Sequence, residues 1–391
     1  MKARGLRYHG AMGRLVIAEI LFSLAVLALQ EVPRGHGGWT LAGVAILLVL
    51  IPVLTRLGER GRSPPGLAAR RGITAALALF ALLQVGFAIL RTVKPKVLDI
   101  ATTTVAALAA LAHGSNPYAL PVDPLAGGID GASTAFHGYK YLPVLLAVYA
   151  PLALPWAERG IVLTNLVLQG AVAWALARLA GRGAVAGLAA AALYLSLPFP
   201  AYQTLARGAN DLVPVLGLLL ALLAVERRPF WAGVLIGLSI AAKPMPGAAA
   251  LLCLVPAADM RRKYFVGVAA GLLPIVPFAL TAPDAFWSNI VLFNALRPTD
   301  DTSWLYGLPG WIALAARAMA AAALIVIWLR AWRAPVRREW RLGMAAAAIL
   351  VVFAVAPDMH HNYYLWFIPL FAVMAARAAC SETEEMRERA A

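Results

Sequence analysis

The sequence predicts an all-α, polytopic membrane protein, and three observations lead to that fold class. Hydrophobic residues make up 62% of the 391-residue chain and charged residues only 14%, whereas soluble domains carry about 45–50% and about 25%. The mean hydropathy is +0.76, and apolar segments of bilayer length recur along the whole chain. This composition excludes a soluble globular protein and an intrinsically disordered one.

About twelve apolar segments are predicted to span the membrane. We place them near 14–30, 39–55, 72–92, 160–177, 184–200, 211–225, 229–243, 245–257, 264–282, 309–330, 342–357 and 362–378. A further apolar segment, 141–157, contains Pro143, Pro151 and Pro155. Three prolines disfavour a straight spanning helix, so we predict that this segment stays on one side of the membrane.

The distribution of positive charge orients these spans. If 141–157 does not cross, most of the 34 Lys and Arg residues fall on the side that carries both termini. By the positive-inside rule that side is cytoplasmic. The net charge of +15 is therefore a topology signal and does not indicate nucleic-acid binding. The two cysteines, Cys253 and Cys380, have no metal-ligand spacing and predict no disulfide.

Polar residues collect on the opposite, outer side. Two loops there are much longer than a connection requires, 93–159 and 283–308. Three short polar clusters are predicted to face the same side, at 207–211, 243–244 and 358–363. The first long loop contains an amphipathic segment, so we expect it to carry helices that lie along the membrane surface. Any chemistry is therefore predicted on the outer face.

The order of motifs along the chain is informative. Asp99 follows an early span, a helix then ends in GSNPY at 114–118, and KYLP follows at 140–143. Further on stand GAND at 208–211 and FWAGVLIGLSIAAKPMP at 230–246. In this order the motifs resemble those of the integral-membrane glycosyltransferases of the GT-C fold. The closest resemblance within that group is to the polyprenyl-phosphate-mannose-dependent mannosyltransferases.

The resemblance covers roughly residues 72–378 and implies one enzyme domain, 1–391. Such an enzyme moves a hexose, here mannose by the closest match, from a polyprenyl-phosphate donor to a hydroxyl of a lipid-linked or glycan acceptor. It implies a multi-pass protein of a prokaryotic cytoplasmic (inner) membrane, acting on the outer face among membrane lipids. The sequence contains no glycine-rich phosphate-binding loop of the kind that would indicate a nucleotide-sugar site. It indicates no metal or cofactor.

The reaction requires a base for the acceptor hydroxyl, and one carboxylate suffices for an inverting transfer. The resemblance assigns that role to Asp99, although an aspartate there could instead cap the helix 100–112. His360 and His361 are the alternative base, or an exposed polar turn. Adjacent histidines are poor joint ligands for one metal ion.

Cationic residues are needed to hold the leaving phosphate. Lys243 ends a span at the outer interface and is the first candidate, although it could instead extend to lipid headgroups. Arg207 and Arg297 are alternative phosphate ligands. Arg317 lies inside a span, where an arginine is functional by default, and it could pair with Glu19.

The remaining substrate-binding candidates surround these groups. Asn210 and Asp211 either line the sugar site or cap the span that begins there. By the resemblance, Asn116, Tyr118, Lys140 and Tyr141 complete the site.

Two other function classes stay open at this stage. A transporter or flippase of lipid-linked sugars is the main alternative, and a structural membrane protein is the other. Transporters typically show inverted repeats and charges at the midplane. Here the hydropathy of the two halves does not match and midplane charges are few, so the sequence favours the glycosyltransferase.

Overall fold

The regular structure of the chain is helical. The computed structural model describes residues 67–93, 95, 97–122, 137–181, 184–296, 299, 303–333, 338–357, 361–374 and 376–377, and no strand occurs among them. The longer α-helices are α1 (Leu67–Val93), α2 (Asp99–Ala112), α3 (Pro143–Trp156), α4 (Glu158–Ala180), α5 (Ala184–Ser196), α6 (Leu212–Ala224), α7 (Pro229–Ala242), α8 (Arg261–Leu272), α9 (Gly310–Arg333) and α10 (Arg338–Phe353).

Shorter helical pieces connect these helices. They are Pro198–Ala201, the π-helical turn Tyr202–Ala206, Pro244–Ala250, Leu251–Leu254, Ala258–Met260, Leu273–Ile275, Val276–Thr281, Pro283–Trp287, the π-helical turn Ser288–Leu292, Phe293–Leu296 and His361–Trp366. Several are joined end to end without a loop, as in the continuous segment Ala258–Thr281. Prolines at the first turns of these pieces account for many of the breaks.

The helices lie where the hydropathy predicts spans, although their lengths differ. In the described part of the chain, three are long and apolar enough to cross a bilayer: Glu158–Ala180, Ala258–Thr281 and Gly310–Arg333. The other apolar helical segments among the described residues are shorter, at 10–17 residues, and that of α1 is Leu77–Val93. The predicted spans 14–30 and 39–55 lie outside the described residues. An all-helical membrane protein is therefore confirmed, and the number of twelve spans stays a prediction.

The proline-rich segment forms the single helix α3. Pro143 occupies its first turn, whereas Pro151 and Pro155 lie inside it. Its 14 residues extend about 21 Å at the rise of an α-helix, short of the roughly 30 Å of a hydrocarbon core. Ala157, with φ of 48°, separates it from α4. Because α6 and α7 are equally short, at 13 and 14 residues, the expectation that 141–157 does not cross the membrane stays a prediction.

Glycines bring α7 and α8 into close contact. A Cβ added at Gly233 or Gly237 would collide with backbone carbonyls of α8, and one at Gly267 or Gly271 would collide with those of α7. Both helices therefore carry the small-xxx-small pattern that lets membrane helices approach closely. Because α7 ends at Ala242, this packing fixes the position of Lys243 immediately after it.

Candidate active site

A buried carboxylate organises the polar residues at the start of α6. Lys243 Nζ lies 2.7 Å from Asp211 Oδ1, and Trp366 Nε1 donates to the same oxygen at 2.7 Å. Asn362 Nδ2 donates to the other oxygen, Oδ2. Asp211 is 0% exposed and Lys243 is 8% exposed. Three donors from two distant segments thus satisfy one buried charge, as a buried ion pair requires.

Aromatic rings surround the ammonium of Lys243. The ring centroid of Tyr363 lies 4.7 Å from Nζ, that of Trp366 5.6 Å and that of Tyr141 5.8 Å. Tyr363 and Trp366 stack on each other with centroids 4.3 Å apart. Such cation–π contacts stabilise a desolvated ammonium. We call Asp211, Lys243, Asn362, Trp366 and these two tyrosines the Asp211 cluster.

This geometry corrects two of the sequence expectations. Lys243 does not extend to lipid headgroups at a wet outer mouth, because it is ion-paired within the protein. Asp211 precedes α6 but makes no side-chain capping bond, because its oxygens bind Lys243, Asn362 and Trp366. Sequence reasoning did not single out Asn362 and Trp366. In the sequence, only their closeness to the His360-His361 pair pointed to them. Their partner, Asp211, lies 151 and 155 residues earlier.

A buried polar network holds the loop 207–211 in place. The π-helical turn Tyr202–Ala206 leaves backbone carbonyls available for side chains. Asn165 Nδ2 donates to Thr204 O at 2.8 Å and to Ala209 O at 3.0 Å, and the hydroxyl of Tyr149 donates to Asn165 Oδ1 at 2.6 Å. Side chains of α3 and α4 therefore position the loop that carries Asp211.

Asp99 is joined to this loop through its neighbour. The backbone N–H of Leu98 donates to Arg207 O at 2.7 Å. Gly208 has φ of +74°, and a Cβ on it would press against the side chains of Val97 and Ala101. Asp99 itself is exposed at the first turn of α2 and Arg207 is half-buried. The structure thus places the predicted base and a predicted phosphate ligand on two segments in backbone contact.

Leu98, not Asp99, is the N-cap residue of α2, and no side chain makes a capping bond there. The alternative role of Asp99 as a cap is therefore not realised in this structure.

In the same region Asn210 is 1% exposed, and neither its Nδ2 nor its Oδ1 has a hydrogen-bond partner among the described residues.

Amide side chains join the two long loops that the sequence predicts on the outer side. Asn289, in the π-helical turn Ser288–Leu292, accepts from the backbone N–H of Gly138 at 3.0 Å and donates to Tyr118 O at 3.1 Å. A Cβ at Gly138 would collide with that same carbonyl. Asn116 Nδ2 donates to Thr281 Oγ1 at 2.7 Å. Asn289 was missed by sequence reasoning, because nothing local distinguishes it from other loop asparagines.

Tyr118 and Tyr139 are buried between these loops. The Tyr118 hydroxyl donates to Tyr141 O at 2.7 Å, and the Tyr139 hydroxyl lies 3.3 Å from Thr104 Oγ1. Burial raises the pKa of both tyrosines well above the usual value, so both phenols stay protonated. The bonds of Asn116 and Tyr118 give both a structural role here, and their substrate-binding role stays a prediction.

The other predicted site residues lie outside the Asp211 cluster. Lys140 Nζ lies 4.6 Å from the ring centroid of Phe293. Arg317 is exposed on α9 and donates to Thr299 Oγ1 at 3.2 Å. His361 begins the short helix His361–Trp366. His360, Arg297 and the proposed partner Glu19 lie outside the described residues.

Comparison with solved structures identifies the fold. The chain matches ArnT from Cupriavidus metallidurans bound to undecaprenyl phosphate with a TM-score of 0.56, at 16% identity. It matches the apo state of the same protein with a TM-score of 0.53, at 17% identity. Each match covers 79% of this chain and 60% of ArnT, so the chain spans about three fifths of the length of that protein. No curated protein matches the chain.

A model of glycosyltransferase family 87 matches residues 139–357. The matched region contains Tyr141, Asp211 and Lys243 of the Asp211 cluster. Together with the fold, it confirms the resemblance of the motifs to the integral-membrane glycosyltransferases of the GT-C fold. Because the match covers more than half of the 391 residues, the chain belongs to glycosyltransferase family 87.

Proposed function

We propose that this protein transfers a hexose, with mannose the sugar that the motifs favour, from a polyprenyl-phosphate donor to a hydroxyl of a lipid-linked or glycan acceptor. The reaction takes place on the outer face of the membrane. Membership of glycosyltransferase family 87 supports the reaction class. The likeness of the fold to that of ArnT, which was solved with undecaprenyl phosphate bound, supports a lipid-phosphate donor.

The observation that carries this proposal is the hydrogen bond between Leu98 N and Arg207 O. It joins the residue before Asp99, which is exposed, to the backbone of Arg207, which is half-buried and begins the loop that ends in Asp211. A glycosyl transfer from a phosphate requires these two kinds of group, one to take a proton and one to receive negative charge.

In the proposed step Asp99 accepts the proton of the acceptor hydroxyl. The hydroxyl oxygen forms a bond to the anomeric carbon while the bond from that carbon to the phosphate oxygen breaks. The electron pair leaves with the polyprenyl phosphate, and the anomeric configuration is inverted because attack comes from the opposite face. Exposure of Asp99 suits this role, since the acceptor must reach the carboxylate.

Arg207 is the first candidate to bind the leaving phosphate, because the charge of Lys243 is already compensated by Asp211. Lys243 contributes indirectly in this proposal, by holding Asp211 and the aromatic side chains of the segment His361–Trp366 in place. His360 and His361 remain the alternative base, since they adjoin Asn362 in the sequence.

The test is a transfer assay with purified protein, polyprenyl-phosphate-mannose and a mixture of glycolipid acceptors. Asp99→Asn keeps the size of the side chain but removes the base. Asp284→Asn is the matched control, because Asp284 is also exposed in the first turn of a helix in an outer loop. We expect product with wild type and Asp284→Asn, and a large loss with Asp99→Asn.

The same assay separates this function from a flippase. A flippase moves the lipid-linked sugar between leaflets without forming a new glycosidic bond. Movement of donor in vesicles, with no glycosylated acceptor by mass spectrometry, would reject the proposed transferase.

A further inference from the structure

A buried arginine with two unbonded nitrogens lies at the end of the helix bundle opposite the Asp211 cluster. Arg341 is 6% exposed, and its Nε and Nη1 have no hydrogen-bond partner among the described residues. Two buried guanidinium nitrogens without hydrogen bonds are costly, because their desolvation is not offset. An anion bound at this position would supply the missing acceptors.

The direction of α6 and α7 shows on which side of the membrane this end of the bundle is predicted to lie. α6 begins next to Asp211 and α7 ends next to Lys243, so the turn that joins the two helices lies at the opposite end. That turn contains Glu226, which is close enough to Arg341 to interact electrostatically. Since the Asp211 cluster belongs to the predicted outer face, Arg341 belongs to the predicted cytoplasmic face.

Positive charge surrounds the position. Arg227 and Arg228 are exposed in the turn before α7, and Arg262 and Lys263 are exposed in the first turn of α8. Tyr264, which follows them, lies close enough to Arg341 for an electrostatic interaction. The nearby acid, Glu226, is exposed and makes no hydrogen bond to Nε or Nη1 of Arg341.

Arg341 also lies in the first turn of α10. The planar fork of donors on a guanidinium matches the oxygens of a phosphate group. At the depth of a membrane interface, lipid headgroups supply phosphate at high local concentration.

We propose that Arg341, with the basic turn before α7 and the basic first turn of α8, forms a binding site for a phosphate group on the cytoplasmic face. Two of its ligands are the free N–H groups of Nε and Nη1. The site is separate from the proposed transfer chemistry and does not depend on it. A membrane lipid and a soluble phosphate are the two sources of such a group.

The experiment measures ligand-dependent thermal unfolding of the full chain in detergent. The probes are phosphatidylglycerol, phosphatidylcholine and inorganic phosphate, added separately. We expect phosphatidylglycerol to raise the unfolding temperature of wild type more than phosphatidylcholine does, by mass action on the folded state. Stabilisation by inorganic phosphate to the same extent would identify the soluble group as the source, and stabilisation by phosphatidylglycerol alone would identify the lipid.

Arg341→Gln should weaken the apparent affinity by about tenfold or more, because both N–H ligands are lost. Arg178→Gln is the matched control; it removes an exposed charge from the last turn of α4, outside the proposed site, and should change the affinity little. Arg341→Lys keeps the charge without the fork of donors and should fall between the two. It also serves as the test if Arg341→Gln does not fold.

Glu226→Gln should tighten binding, since it removes a nearby negative charge. Two results would overturn the proposal. One is equal stabilisation of wild type, Arg341→Gln and Arg341→Lys by phosphatidylglycerol. The other is stabilisation of wild type by neither phosphatidylglycerol nor inorganic phosphate.

Discussion

Lys243 and Asp211 form a buried ion pair, 2.7 Å between Nζ and Oδ1, that joins the end of α7 to the start of α6. Asn362 and Trp366 bind the same carboxylate. The pair thereby fixes the helix His361–Trp366 against the loop 207–211. The position of one acid thus determines how three separate parts of the chain meet.

Loss of the carboxylate should therefore destabilise the protein. Asp211→Asn leaves the Lys243 ammonium buried without a counter-charge, and breaking such a pair typically costs about 3–5 kcal/mol. We expect a marked fall in the unfolding temperature, measured by tryptophan fluorescence. Asp259→Asn, at an exposed acid, is the control. The double variant Asp211→Asn/Lys243→Met should recover part of the loss, and no difference between Asp211→Asn and wild type would show that the pair is not formed.

The glycine contact between α7 and α8 gives a second test. Gly233→Leu inserts a side chain against the Tyr264 carbonyl and should cost at least the 1–3 kcal/mol, roughly, of an overpacked core. Gly86→Leu is the control, because a Cβ there meets no atom within 4 Å. Chemical denaturation of both variants would check this. Equal stability would mean that the two helices are not in contact at Gly233.

Asn289→Ala should weaken the contact between the two long loops that are predicted on the outer side. The change removes both bonds to Gly138 and Tyr118 and leaves a buried N–H and a buried carbonyl unsatisfied, at about 1–3 kcal/mol each. Faster proteolysis between 113 and 142 is the expected result. Asn294→Ala is the matched control, since Asn294 is exposed and bonds only locally to Ile290 O. Equal digestion rates for the two variants would argue against a role of Asn289 in holding the two loops together.

Arg207→Gln should raise the KM for the donor about tenfold to a hundredfold, as expected for one charged hydrogen bond, while the folded state is retained. Arg317→Gln tests the other predicted arginine, which bonds to Thr299 in this structure. Steady-state kinetics with polyprenyl-phosphate-mannose would compare them. If only Arg317→Gln raised KM, the phosphate ligand would have to be reassigned to Arg317.

Hydropathy was sufficient to predict an all-helical membrane fold and the approximate position of the described helices. Runs of apolar residues indicate segments that are buried or in contact with lipid, and prolines indicate where helices begin. The motif at 230–246 was recognised by resemblance, and the structure gives a physical reason for two of its glycines, the contact of α7 with α8.

The partners of the candidate site could not be predicted in the same way. Asp211 meets Trp366 across 155 residues, and no local pattern encodes such a contact. The same holds for Asn289, whose amide faces Gly138 because of a π-helical turn. Lys243 looked like an interfacial lysine because its sequence neighbours are apolar, whereas its counter-charge comes from another helix.

The most direct measurement is the initial rate of mannose transfer by purified wild type, Asp99→Asn and Asp284→Asn, with all three shown to be folded by thermal unfolding. Because Asn cannot accept the acceptor proton, the account predicts a rate about 10²–10⁴-fold lower for Asp99→Asn and an unchanged rate for Asp284→Asn. Equal rates for wild type and Asp99→Asn would contradict the account and transfer the role of base to His360 or His361.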